Sequence, residues 1–167
     1  MRRMGQDQGG ESIMAQWLGC IDEPVAGDSN STANYTYITP ITASEAGYVT
    51  IIEIWIGDDS GGVLDFAVFN NSGGSTYADE HRVTDLSISN GLNQFYAGVD
   101  FAADALPIDI GQYLGVYVTS SGIFRKITSG GSGYLYDSGD QIGSGGGTSF
   151  TASGNITHEL QFRVWIE

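Results

Sequence analysis

Two histidines, one cysteine and twenty carboxylates are the side chains of this sequence that could do acid–base, nucleophilic or metal chemistry. Catalysis of that kind needs a nucleophile and a base held together, and His81, His158 and Cys20 are scattered along the chain with no such pairing signalled around them. His158 falls on the apolar face of the last alternating segment, where a hydrogen-bonded core or inter-sheet histidine is the expected role. His81, in Ala78-Asp79-Glu80-His81-Arg82, reads as a solvated strand entry. Without a Cys/His cluster the usual transition-metal ligand sets are missing. Calcium is the metal the carboxylates would suit, with Asp58, Asp59 and Asp65 around one loop, or Asp137 and Asp140 around another, as oxygen ligands. The stretch Asp58-Asp59-Ser60-Gly61-Gly62 lacks the spacing and terminal Glu of an EF-hand, and Asp also favours turns for conformational reasons. A glycosidase pair must be opposed at a set separation, which position along a chain does not establish. The expectation is a non-enzymatic protein with no cofactor other than calcium.

Aromatic residues are the stronger lead. Tyr35, Tyr37, Tyr77, Tyr96, Tyr134 and Tyr136, with Trp55 and Trp165, stand partly out of phase with the residues that would face a core. Tyr and Trp combine an apolar body with a polar tip, which suits stacking on sugar rings or anchoring a protein interface. Tyr77, Tyr96, Tyr134 and Tyr136 are the candidates for a glycan platform. Trp55 and Trp165 are candidates for a subunit interface, or else pack beneath an N-terminal arm or a second layer.

The elements that must position these groups are strands. From Ile156 to Glu167 the even positions read Ile, His, Leu, Phe, Val, Ile and the odd ones Thr, Glu, Gln, Arg, Trp, Glu, a period of two that gives one buried and one wet face. Similar patterning predicts strands at about 35–39, 47–56, 63–69, 82–88, 94–101, 112–119, 122–127, 133–136, 148–152 and 156–166. In Tyr48–Ile56 the set Tyr48, Thr50, Ile52, Ile54 and Ile56 faces one way and Val49, Ile51, Glu53 and Trp55 the other; both faces are largely apolar, which places the strand centrally or beneath a covering arm. Gly57–Gly62 and Asn70–Gly74 are turns, residues 128–147 a long loop or weak edge strand, and the glycine excess, 25 against 3 prolines, serves such turns and bulges. The predicted fold is all-β, an antiparallel β-sandwich of residues 34–167 preceded by an arm of residues 1–33. Ile52, Ile54, Phe66, Val68, Leu114, Val116, Leu160, Phe162 and Val164 should share its core. Ile13, Met14, Trp17, Leu18 and Ile21 make the arm apolar enough to dock on another subunit.

Net charge bounds the partners. Six Lys and Arg against twenty Asp and Glu give −14, and no cation stands between Met4 and His81, so a phosphate backbone or an anionic membrane surface would be repelled. One cysteine allows no internal disulfide. Leu18-Gly19-Cys20 is similar to a lipoprotein processing site, but Gly5–Ser12 is polar where an apolar stretch should stand, so no signal peptide is expected. Asn30, Asn34, Asn70 and Asn155 head Asn-x-Ser/Thr sequons, which matter only where glycosylation machinery exists.

The run Ala43-Ser44-Glu45-Ala46-Gly47-Tyr48-Val49-Thr50-Ile51-Ile52-Glu53-Ile54-Trp55-Ile56, followed by Val63-Leu64-Asp65-Phe66-Ala67-Val68-Phe69-Asn70, resembles the opening of jelly-roll modules found in phage particles and in carbohydrate-binding extracellular proteins. Ile110-Gly111-Gln112-Tyr113-Leu114-Gly115-Val116-Tyr117-Val118 is similar to their penultimate core strand. The likeness implies a jelly-roll-like sandwich and carries over no catalytic residue, and such a fold serves virion assembly, adhesion and glycan binding alike. The expected function is a structural or surface subunit, a capsid-decoration or tail or fibre component of a virion that assembles as a homo-oligomer such as a trimer. The alternative is a glycan-binding adhesion module. Either would sit on a virion or an extracellular surface.

Overall fold

The computed structural model describes residues 15–20, 22–26, 29–30, 33–57, 62–119, 124–127, 133–143, 148–152 and 158–167. They form strands β1 (Gln16–Gly19), β2 (Ser29–Asn30), β3 (Tyr35–Thr42), β4 (Gly47–Ile56), β5 (Val63–Gly73), β6 (Thr76–Ser87), β7 (Gly91–Tyr96), β8 (Pro107–Ile108), β9 (Tyr113–Val118), β10 (Phe124–Ile127), β11 (Leu135–Ser138), β12 (Thr148–Ser149), β13 (Thr151–Ala152), β14 (His158–Leu160) and β15 (Phe162–Ile166). All these strand pairs are antiparallel and no described residue is helical. The smaller sheet runs β1-β15-β4-β7, with β8 attached to β4, and the larger runs β12-β6-β5-β9-β3-β11-β13. A short third sheet orders β14-β10-β2.

Period-two patterning explains why the two main sheets meet. Ile52, Ile54, Ile56, Phe162, Val164 and Ile166 leave the smaller sheet toward Leu64, Phe66, Val68, Leu114, Val116 and Val118 of the larger one, all 2% exposed or less. Alternating β-branched and aromatic residues fit such a half-buried pleated surface. All nine expected core residues lie in this cluster, and Phe66 meets Phe162 edge to face at 6.0 Å. β4 is central in its sheet, between β15 and β7.

Three expectations change. First, Gln16–Gly19 is no free arm: β1 pairs with β15 from Gln16↔Ile166 to Gly19↔Arg163, and Leu18 is 4% exposed inside the protein's own core. Leu18 is therefore unavailable as an interface residue, because the alternation of β1 turns it inward. Gly19 makes the pairing possible: its φ of +123° and the close approach of the Phe162 carbonyl and the Arg163 backbone leave no space for a Cβ. Second, the final strand is interrupted at Gln161, so that β14 pairs with β10 while β15 pairs with β4. Third, a β-bulge where β15 meets the start of β4 resets the parity there. Val49 enters the core at 0% exposure, and Tyr48, expected in phase with Ile52, is 47% exposed.

The end of the glycine-rich stretch that reads as a long loop, together with the expected strand at 148–152, supplies a further layer. Ile142 and Phe150 cover Ile38, Ala67, Phe69 and Tyr77 on the far side of the larger sheet, making a second small core. Thr36 holds this strap, donating from its hydroxyl to the Gly139 carbonyl at 2.9 Å and accepting the Gln141 N–H at 2.9 Å.

Phe162→Ala should cost about 3–5 kcal/mol through lost burial and a residual cavity. Denaturant melts check this, and a loss below about 1 kcal/mol is surface behaviour that contradicts the core assignment.

Candidate functional site

Beyond the bulge in β4, the odd-numbered residues Ile51, Glu53 and Trp55 of β4 and Arg163 and Trp165 of β15 stand on the outer face of the smaller sheet. Register aligns them with their neighbours. One row across four strands reads Trp17↔Trp165↔Ile51↔Tyr96. The next reads Gly19↔Arg163↔Glu53↔Gln94, and the one beyond brings Trp55 opposite Leu92. Neighbouring strands lie about 4.8 Å apart, so the first row is roughly 14 Å long. Trp17 is 37% and Tyr96 42% exposed, while Ile51, Trp55, Leu92 and Trp165 are half-buried. Every apolar residue of these rows thus keeps some contact with solvent.

The middle row is a polar line. Arg163 Nε donates to Glu53 Oε2 at 2.7 Å, and Gln94 Nε2 donates to Glu53 Oε1 at 2.7 Å. The Arg163 and Glu53 side chains are 12% and 7% exposed, so the pair is almost out of water and holds its geometry by charge-assisted hydrogen bonds. The same guanidinium lies over Trp17, with Cζ 3.9 Å from the ring centroid, and Trp17 leans on Trp165 at 5.1 Å. The indole of Trp165 is oriented in turn by Glu167, its Nε1 donating to Glu167 Oε1 at 2.8 Å.

The expected interface residues divide. Trp17, Trp55 and Trp165 share the outer face, Leu18 is in the core, and Ile13, Met14 and Ile21 lie outside the described residues. The expected glycan platform does not assemble from its four tyrosines. Tyr77 is 7% exposed beneath the strap, edge-on to Tyr113 and Phe150. Tyr134 is buried against Tyr37, and Tyr136 packs on Tyr35 and Tyr134, closing one end of the main core. Of the four, Tyr96 alone reaches the open face, where it joins the tryptophans. Ile51, Glu53, Leu92, Gln94 and Arg163 are members of the face that reasoning from residue type passes over. The signal that finds them is odd parity, or for Leu92 and Gln94 register, on strands whose alternate residues face the core.

The groups considered for chemistry are dispersed. His81 is exposed on β6 of the larger sheet and His158 is half-buried on β14 of the short one. Cys20 is 3% exposed, its thiol donates to the Asp22 carbonyl at 3.2 Å, and burial foremost pushes its pKa up to about 12, so at neutral pH it is a thiol and not a nucleophilic thiolate. The cavity beside it, lined by Cys20, Thr39, Ile41, Glu159 and Phe162 among others, measures about 20 Å³, room for about one water. Asp58 and Asp59 lie outside the described residues, and among the described ones no three His, Cys, Asp or Glu side chains converge. Asp65 instead accepts the Asp85 N–H at 2.7 Å, holding a residue whose φ is +61°. Asp137 and Asp140 accept the N–H groups of Ser138 and Ile142, which are turn contacts.

Comparison of the chain with protein-family models, with curated proteins and with solved structures finds no match. A functional reading therefore draws on the face and on the patterning of the chain.

Arg163→Met should destabilise the protein by about 3 kcal/mol, because it strands the Glu53 carboxylate in a nearly dry site, whereas Arg163→Met/Glu53→Leu should recover most of the loss. Denaturant melts of both variants check this, and equal losses would show that the ion pair itself is the stabilising element. Burial foremost holds the Asp65 carboxyl above its ordinary 3.8, with Asp140 and Asp85 adding to the rise. The folded state then binds this proton more tightly than the unfolded one, so stability should rise as pH falls from neutral toward about 4. Asp65→Asn keeps an oxygen for Asp85 and should reduce that acid-side gain; thermal melts across the range with identical slopes would contradict it.

Proposed function

We propose that the chain is a non-enzymatic surface or structural subunit that works by docking through the outer face of its smaller sheet. The observation behind this reading is the cross-strand row Trp17, Trp165, Ile51 and Tyr96. An unstacked sheet face usually alternates to polar residues, and a contiguous exposed apolar patch marks an interaction surface. All three tryptophans of the chain stand on this face, and anchoring aromatics of this kind concentrate in interfaces. The setting on a virus particle, as a jelly-roll-type decoration or fibre component, follows from the resemblance carried by residues 43–56, 63–70 and 110–118. Calcium has no part in this reading.

A second reading, adhesion to glycans, is favoured by a specific observation: the aromatic rows flank a hydrogen-bonding line instead of enclosing an apolar centre.

The test compares the wild type with Trp17→Ala/Tyr96→Ala. The variant should keep the strand signature in circular dichroism and lose whichever association the wild type shows, self-association in light scattering or retention by a glycan. A wild type that does neither, or a variant that loses nothing, contradicts the docking reading.

A further inference from the structure

We propose that the occupant of the outer face is a neutral carbohydrate chain laid across β1, β15, β4 and β7, an inference that rests on the docking reading above. Three observations select it over a second copy of the protein.

The first is the order of polar and apolar groups. A protein interface has a hydrophobic centre and a polar rim. Here the order is inverted: the exposed Gln94, with Arg163 and Glu53 nearly out of water and Trp17 over the guanidinium, forms the middle row, with Trp17, Trp165, Ile51 and Tyr96 on one side and Trp55 and Leu92 on the other. Ligand sites have this inverted character, aromatic surface with a few fixed polar groups that set orientation. A pyranose ring matches it, because its C–H faces stack on aromatic rings while its hydroxyl edge meets hydrogen-bonding groups. Gln94 is the exposed member of the polar line, and its amide is fixed by Glu53.

The second is area. Trp17 and Tyr96 expose 37% and 42% of their surface, which is roughly 60–100 Å² each if a whole aromatic side chain contributes about 150–250 Å². The other four apolar residues are half-buried. The apolar surface on offer is a few hundred Å², below the roughly 450 Å² that the apolar share of a standard interface of about 800 Å² per partner comes to. A row about 14 Å long and one side chain wide suits a narrow, extended ligand.

The third is charge. Two copies at −14 each repel, and so would a polyanionic glycan. The Arg163 charge is matched by Glu53 at 2.7 Å, so the face offers no unbalanced cation for a sulfate, carboxylate or phosphate. The carbohydrate it accepts is uncharged.

Affinity electrophoresis of the full chain in native gels tests this, with neutral polysaccharides (hydroxyethylcellulose, xylan, laminarin and dextran) and the polyanion alginate as probes. The wild type should be retarded by at least one neutral polysaccharide, with little dependence on salt. Trp165→Ala and Tyr96→Ala should each weaken retardation at least tenfold, Trp165→Phe should restore part of it, and Ile110→Ala, at an exposed position outside the row, should leave it unchanged. Tyr96 is exposed, so its variant guards against a loss that is only misfolding. Retardation by alginate alone, or retardation by neutral polysaccharides that both face variants retain, overturns the inference. So does an absence of retardation accompanied by self-association that Trp165→Ala reverses, an outcome that leaves the docking reading standing. Neither retardation nor self-association overturns both.

Discussion

The pairing of β15 with β4 is the interaction on which the rest of the molecule depends. It sets Phe162, Val164, Ile52 and Ile54 against the larger sheet and, by the same register, puts Trp165, Arg163, Ile51 and Glu53 outside. A slip of β15 by one residue would turn Arg163 and Trp165 toward the core and Phe162 and Val164 toward water, and would part Arg163 from Glu53. Burial of the inner set makes that slip costly, and the Arg163–Glu53 contact at 2.7 Å reinforces the same alignment from the wet side. The outer face is therefore a consequence of the core rather than an independent construction. β1 extends it by one strand because Gly19 permits close approach to Phe162 and Arg163.

The face differs in kind from the rest of the surface. The chain carries an excess of fourteen negative charges, which favours solubility and discourages association over most of its exterior. Along the middle row, charge is internally balanced and hydrogen-bonded, and around it the exposed groups are mainly rings. Outside the middle row, the Glu167 carboxylate contacts this face at the Trp165 indole.

How much of this can be read from the residues in order depends on the range of the interactions involved. Strand identity is local, and the alternation around Ile54, Phe66, Val116 and Val164 reveals both strands and core. Tyr48 and Val49 exchange their expected places because a bulge depends on the partner strand, which parity along one segment does not show. Gln16–Gly19 is too short to display a period, and only its pairing with β15 makes it a strand. Ile142 is hidden by glycine-rich surroundings that suggest a loop, and the expected strand at 148–152 does not show that its Phe150 joins Ile142 over the larger sheet. The site is legible as ingredients, since Trp17, Trp55, Trp165 and Tyr96 stand out by residue type, but their grouping is set by registers between residues far apart in the chain. That same dependence separates Tyr77 and Tyr134, which pack inside, from Tyr96, which does not.

Because all three tryptophans stand on the outer face, their fluorescence reports on the central claim without any substitution. Acrylamide quenching of the native protein is the most direct measurement. The account predicts substantial quenching in the folded state, led by Trp17, and protection of that signal when a ligand occupies the face. Native tryptophans that acrylamide cannot reach, becoming accessible only on unfolding, would place them in a covered layer and contradict the account.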